Sequence, residues 1–193
     1  MLQFVVTVAA IVHFALGGDA GARAATGMLW VAIVFTALLG LTRAFTAEHE
    51  EGAIDALHLA PLDPTAIWLG KVLSQLAFLL LMEVVALPVF WLFFFQQDGP
   101  APLPFLAAVA LTDVGLCAVG VLVASLAQAT RARDVLLPVL FLPLTVPLVL
   151  AAVTTSLAAL DGDPTGRPLG YLILSDTVFL LLAWGTYEHL VGE

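Results

Sequence analysis

Six apolar runs take up most of this chain, and every break between them carries turn chemistry or charge. The runs cover residues 2–16, 26–45, 67–95, 105–127, 135–155 and 169–191. The breaks read GGDAGAR, a connector at 43–64, QQDGPAPLP, QATRARD and DGDPTGRP. Runs of this kind approach or exceed the roughly 20 apolar residues that cross a bilayer. The chain is 62% hydrophobic and only 11% charged, where a soluble domain is about half apolar and about a quarter charged. Its mean hydropathy is +1.08. Lipid offers an open backbone no hydrogen-bond partner, so each run is expected to be a helix. The predicted fold is all-α: a polytopic membrane protein with six transmembrane helices in one domain, 1–193.

The first run is short for a span. A cleaved signal peptide is the alternative, but no basic segment precedes the run, and LGGDAGA is a poor cleavage site. Six spans put both termini on one side. Arg43, Lys71, Arg131 and Arg133 lie in or beside the connectors after spans two and four, whereas the opposite loops hold only Arg23 and Arg167. The positive-inside rule then places the 43–64 connector and QATRARD in the cytoplasm. Trp30, Trp68, Trp91 and Trp184 fall near span ends, where an aromatic belt is expected.

The connector RAFTAEHEEGAIDALHLAPLDP gathers Glu48, Glu50, Glu51, Asp55 and Asp63. It reads as a short amphipathic helix. Thr46 is a candidate N-cap, and the glutamates favour the positive end of the helix dipole. Ile54 and Leu57 share one face with Ala53, Ala56 and Ala60, and Pro61 stops the helix. Asp63 and Pro64 then restart one as N-cap and first helical residue. Such a segment is either a solvated loop or a docking helix whose apolar face enters a groove on a partner.

Other features exclude functions. A net charge of −9 argues against nucleic acid as a partner. No GxxxxGK[ST] loop is present, so the sequence offers no nucleotide site of this kind. EHEE lacks HExxH spacing and reads as a solvated face rather than a metal site. His13, His49, His58 and His189 have no partner histidine at helical spacing, and only His13 lies near the outer face. Cys117 is expected as a small packing residue. Pro138, Pro143 and Pro147 bend span five or form a moving gate. Glu83, Asp113 and Asp176 lie inside spans, with no Lys or Arg at matching depth. Ionisable groups there cost about 2.5 to 3.5 kcal/mol on insertion scales. They are functional candidates, or else neutral groups bonded across helices. No catalytic constellation joins them.

MLWVAIVFTALLGLTRAFTAEHEEGAIDALHLAPLDPTAIWLGK, LLLMEVVALPVFWLFF, VGLCAVGVLVASLAQATRARDVLLPVLFLPLTVPLVLAAV and SDTVFLLLAWGTYEHLVGE together resemble the haem exporter protein B family, the CcmB permeases of cytochrome c maturation. The likeness runs in order over nearly the whole chain. One departure stands out: the family pattern places a basic, amphipathic segment before the first span, and here that span starts at Leu2.

The resemblance implies an ABC-2-like permease in the bacterial inner membrane, with both termini cytoplasmic. Its coupling helix would dock on the ATPase through Glu50, Glu51, Gly52, Ile54, Asp55, Leu57 and Pro61. It implies an ATPase subunit of the CcmA type in two copies and a haem-handling membrane subunit of the CcmC type. The small subunit CcmD and the haem chaperone CcmE would accompany them. Haem would be substrate, with no cofactor firmly bound and ATP acting only through the partner. Whether haem itself crosses or ATP releases a haem-loaded carrier stays open. So do a generic drug or lipid exporter and a non-transporting scaffold. Small residues of span four, Gly115, Ala118, Gly120 and Ala124, are expected at a subunit interface.

The orientation has a direct check. In a Cys117→Ala background, single cysteines at Ala47 or Ala129 should resist impermeant thiol reagents in intact cells. Cysteines at Ala20 or Gly166 should react, and the reverse pattern overturns the topology.

Overall fold

The computed structural model describes residues 2–16, 21–50, 64–95, 99–128 and 133–191. These form six helices: α1 (Leu2–Leu16), α2 (Gly21–Glu50), α3 (Pro64–Phe94), α4 (Pro102–Gln128), α5 (Arg133–Asp161) and α6 (Gly166–Val191). There is no strand among the described residues. Five helices, α2 to α6, are long and apolar enough to cross a membrane. α1 has 15 residues, about 22 Å of helix, against a hydrocarbon core of about 30 Å. The expected six crossings therefore reduce to five helices of spanning length and one short apolar helix.

The helix ends follow local chemistry. Pro64 opens α3 and Pro102 opens α4, each at a first-turn position where a missing N–H costs nothing. α5 ends at Gly162, whose φ of 73° is left-handed. The Asp163 N–H then donates to the Ala158 carbonyl at 2.9 Å, the closure of a Schellman turn. α5 remains one helix through Pro138, Pro143 and Pro147. α2 departs from expectation. It runs unbroken through Thr46 to Glu50, so Thr46 lies inside a helix rather than at the start of one. Ala44, Ala47 and the glutamates are good helix formers, and no breaker intervenes. At 30 residues, about 45 Å, α2 is longer than the hydrocarbon is thick.

α4 is the packing centre, touching α2, α3, α5 and α6, whereas α1 touches only α2 and α3. Two thirds (67%) of the apolar stretch of both α2 and α4 is buried, against 17% in α6, so those two helices form the interior. Ala118, Gly120 and Ala124 are buried within this one chain. That corrects their assignment to a subunit interface: their small size lets α4 approach its own neighbours. A Cβ at Gly120 would lie 3.2 Å from Phe141 Cε2 and closer still to Leu41 Cδ1.

The aromatic belt is also corrected. Trp30 is fully buried and donates from Nε1 to Ser156 Oγ at 3.1 Å, joining α2 to α5. Trp68 is buried as well, and only Trp91 and Trp184 face outward. At one end of the bundle Arg23 pairs with Asp161, and the Ala101 N–H donates to the Ala159 carbonyl. At the other end, Lys71 Nζ sits 4.5 Å above the Phe45 ring, tying α3 to α2.

Gly120→Val should force Leu41 and Phe141 apart and cost about 1–3 kcal/mol by overpacking. Thermal unfolding in detergent should show a lower midpoint. An unchanged midpoint would mean that α4 does not pack there.

Candidate functional site

Glu83, Asp113 and Asp176 come from α3, α4 and α6, each from near the middle of its helix. The sequence places all three inside spans, with Asp176 open to a position nearer the outer headgroups; the fold brings them together. Asp113 is fully buried, and Glu83 and Asp176 are each 4% exposed. Asp113 stands in the middle, with its carboxyl beside that of Glu83 and within electrostatic reach of Asp176. The Glu83 and Asp113 carboxyls share a side-chain hydrogen bond, whereas both oxygens of Asp176 have no partner among the described residues.

The surroundings do not compensate. Thr112, next to Asp113, spends its hydroxyl on the Ala108 carbonyl at 2.7 Å. Cys117, one turn beyond Asp113, is a buried free thiol and behaves as packing. Glu83 also borders a small cavity of about 10 Å³, with Leu29, Ile33, Thr36 and Met82 on its other walls. The backbone makes room for the cluster at Gly115. A Cβ there would collide with Asp176 Oδ1 and lie 2.6 Å from Leu148 Cδ2. Only glycine lets the Asp176 carboxyl rest against α4. Among the described residues no group of three His, Cys, Asp or Glu side chains is compact enough to hold a metal ion.

Three buried carboxyls from three helices meet here, two of them hydrogen-bonded to each other and the third without a partner among the described residues. Sequence reasoning named the residues but not their meeting. Depth along a helix can be counted from sequence, but the facing direction in a bundle cannot.

The docking candidates fare differently. Glu50 is the last residue of α2. Glu51, Gly52, Ile54, Asp55, Leu57 and Pro61 lie outside the described residues, as does His58. His49 falls in the last turn of α2 and His189 in that of α6. His13 is the histidine with a defined setting, among Phe14, Phe93 and Phe94. The FFF run at 93–95 was the signal for that cluster, and sequence reasoning passed it over.

The CcmB protein family model matches residues 1–187. The chain belongs to the CcmB family. It is 31% identical over 184 residues to Heme exporter protein B of Rhodobacter capsulatus, covering 93% of this chain and 84% of the relative. It is 30% identical to the protein of that name from Bradyrhizobium diazoefficiens, covering 93% and 82%. The one from Escherichia coli K12 is 33% identical, covering 79% and 68%. No solved structure matches. As a CcmB family member the chain is a multi-pass membrane permease, in agreement with its apolar helices.

Asp113→Asn tests the cluster. The amide would keep a hydrogen bond to Glu83 and offer a donor to the unpartnered Asp176 oxygens, each of which costs about 1–3 kcal/mol. The variant should melt higher than the wild type in detergent. A lower midpoint would show that the bond between Glu83 and Asp113 needs the acid at position 113.

Proposed function

We propose that this chain is the permease subunit of a haem exporter in the bacterial inner membrane, serving the assembly of c-type cytochromes. The observation that carries the reading is the family match over residues 1–187, with relatives named Heme exporter protein B. A permease with no nucleotide-binding loop in its sequence needs its energy from elsewhere. In this reading an ATPase of the CcmA type, in two copies, docks on the connector after α2. Glu50, Glu51 and Asp55 meet basic residues, and Ile54 and Leu57 enter a groove, with Gly52 and Pro61 bounding the segment. A CcmC-type subunit completes the membrane assembly, and CcmD and the carrier CcmE act beside it. Both termini face the cytoplasm, and residues 1–193 form one permease domain.

The acidic cluster gives this reading a moving part. A nucleotide-driven push on the α2–α3 connector reaches α3 directly, and α3 carries Glu83. Glu83 is hydrogen-bonded to Asp113, so a shift of α3 against α4 would break or exchange that bond, with Asp176 on α6 beside it.

Deleting the gene should abolish c-type cytochromes, and the wild-type copy should restore them. Leu57→Asp should not restore them, because it buries an unpaired charge in the ATPase interface and should abolish ATPase co-purification. A deletion strain with normal c-type cytochromes would reject the haem reading. Normal ATPase recovery with Leu57→Asp would reject the docking segment alone.

A further inference from the structure

The His13 cluster is separate from the acids and from the ATPase connector. α1 lies along α3, and its last turn sets His13 against the C-terminal end of α3. The imidazole centroid is 5.2 Å from Phe93, 5.8 Å from Phe94 and 5.7 Å from Phe14. The rings meet edge to face, at 64°, 68° and 80°. Phe14 is 85% exposed and Phe93 41% exposed. The imidazole itself is partly exposed, and among the described residues it makes ring contacts and no hydrogen bond. Phe94 in turn lies 3.9 Å from where a Cβ at Gly21 would stand, at the start of α2. The cluster therefore sits at the end of the bundle where α2 begins and α3 ends, opposite the connector.

A histidine used only for packing in such a place would be better replaced by a fourth phenylalanine. Its two nitrogens gain little from phenyl edges and keep only part of their hydration. A neutral imidazole offers a lone pair to a metal, and the surrounding rings offer apolar area to whatever carries that metal. A flat apolar macrocycle with iron at its centre meets both needs together.

We propose that His13, with Phe14, Phe93 and Phe94, is a haem-docking site, in which an imidazole nitrogen becomes an axial ligand of the iron. The assignment rests on the haem reading above and adds to it a place on the chain. Ligation is a simple exchange: the nitrogen lone pair forms the bond to iron, and a weakly held water or hydroxide leaves. The iron keeps its oxidation state. The phenyl rings hold the macrocycle by apolar contact, and Phe14 and Phe93 present most of that surface. A single side-chain ligand suits a site that must release its cargo.

The test is a titration of the full chain, purified in detergent, with haemin and separately with iron-free protoporphyrin. Wild type should shift the haemin Soret band saturably to an imidazole-ligated spectrum. His13→Phe keeps the aromatic packing and removes the ligand. It should weaken haemin binding by about tenfold or more and leave protoporphyrin binding unchanged. Free imidazole should restore the ligated spectrum to His13→Gly. Wild-type-like haemin titration by His13→Phe overturns this site while leaving haem as the cargo. An absence of saturable haemin binding by wild type also overturns it. The cytochrome phenotype of the deletion strain then reports on the haem reading separately.

Discussion

Lipid supplies no hydrogen bonds, so every polar group in this bundle must find its partner within the protein. The threonines meet the requirement locally. Thr26, Thr36, Thr112, Thr145 and Thr155 each donate to a carbonyl one turn back. Between helices, Gln75 Nε2 donates to the Ala37 carbonyl at 3.1 Å and Trp30 to Ser156. Such bonds contribute about 0.6 kcal/mol each on average in membranes, so they fix register more than they supply stability. Against this background the buried carboxyls of Glu83, Asp113 and Asp176 stand out. Ser125 Oγ and Trp68 Nε1 are also buried without a partner, but where α3, α4 and α6 meet three acids are gathered, Glu83 bonded to Asp113 and Asp176 unpartnered among the described residues.

Close packing sets α4 against α2, α5 and α6. Without a hydrophobic drive between helices in lipid, dispersion contacts and small residues decide which faces meet. α4 carries Gly115 and Gly120 at the points of nearest approach, to Asp176 and Leu148 in one case and to Leu41 and Phe141 in the other. The outward faces of α3 and α6 are left apolar, with Leu81, Val84, Leu92, Leu174 and Leu181 exposed. These faces suit lipid or a further membrane subunit.

Much of the helix plan was legible in the sequence, because hydrophobic runs and their breakers are local signals. Pro64 and the DGDPTG turn mark helix limits that the structure shares. α2 overran its predicted end because its apolar run stops before its helix propensity does. The span count was less legible: α1 is apolar but short. Contacts across helices were hardest to read. Trp30 was expected at the membrane surface and is buried against α5, and the α4 glycines were expected between subunits and serve the chain itself. Each error has one cause. Sequence shows how far along a helix a residue lies, whereas tertiary packing decides which way it faces.

The account depends most on energy arriving from a second protein, since the sequence holds no loop for ATP phosphates. Native mass spectrometry of the chain, isolated from its own membrane in mild detergent, measures this directly. The account predicts a complex in which this chain carries an ATPase subunit together with a second, haem-handling membrane subunit. A chain recovered only alone or only with copies of itself, at every detergent strength that keeps it folded, would contradict it.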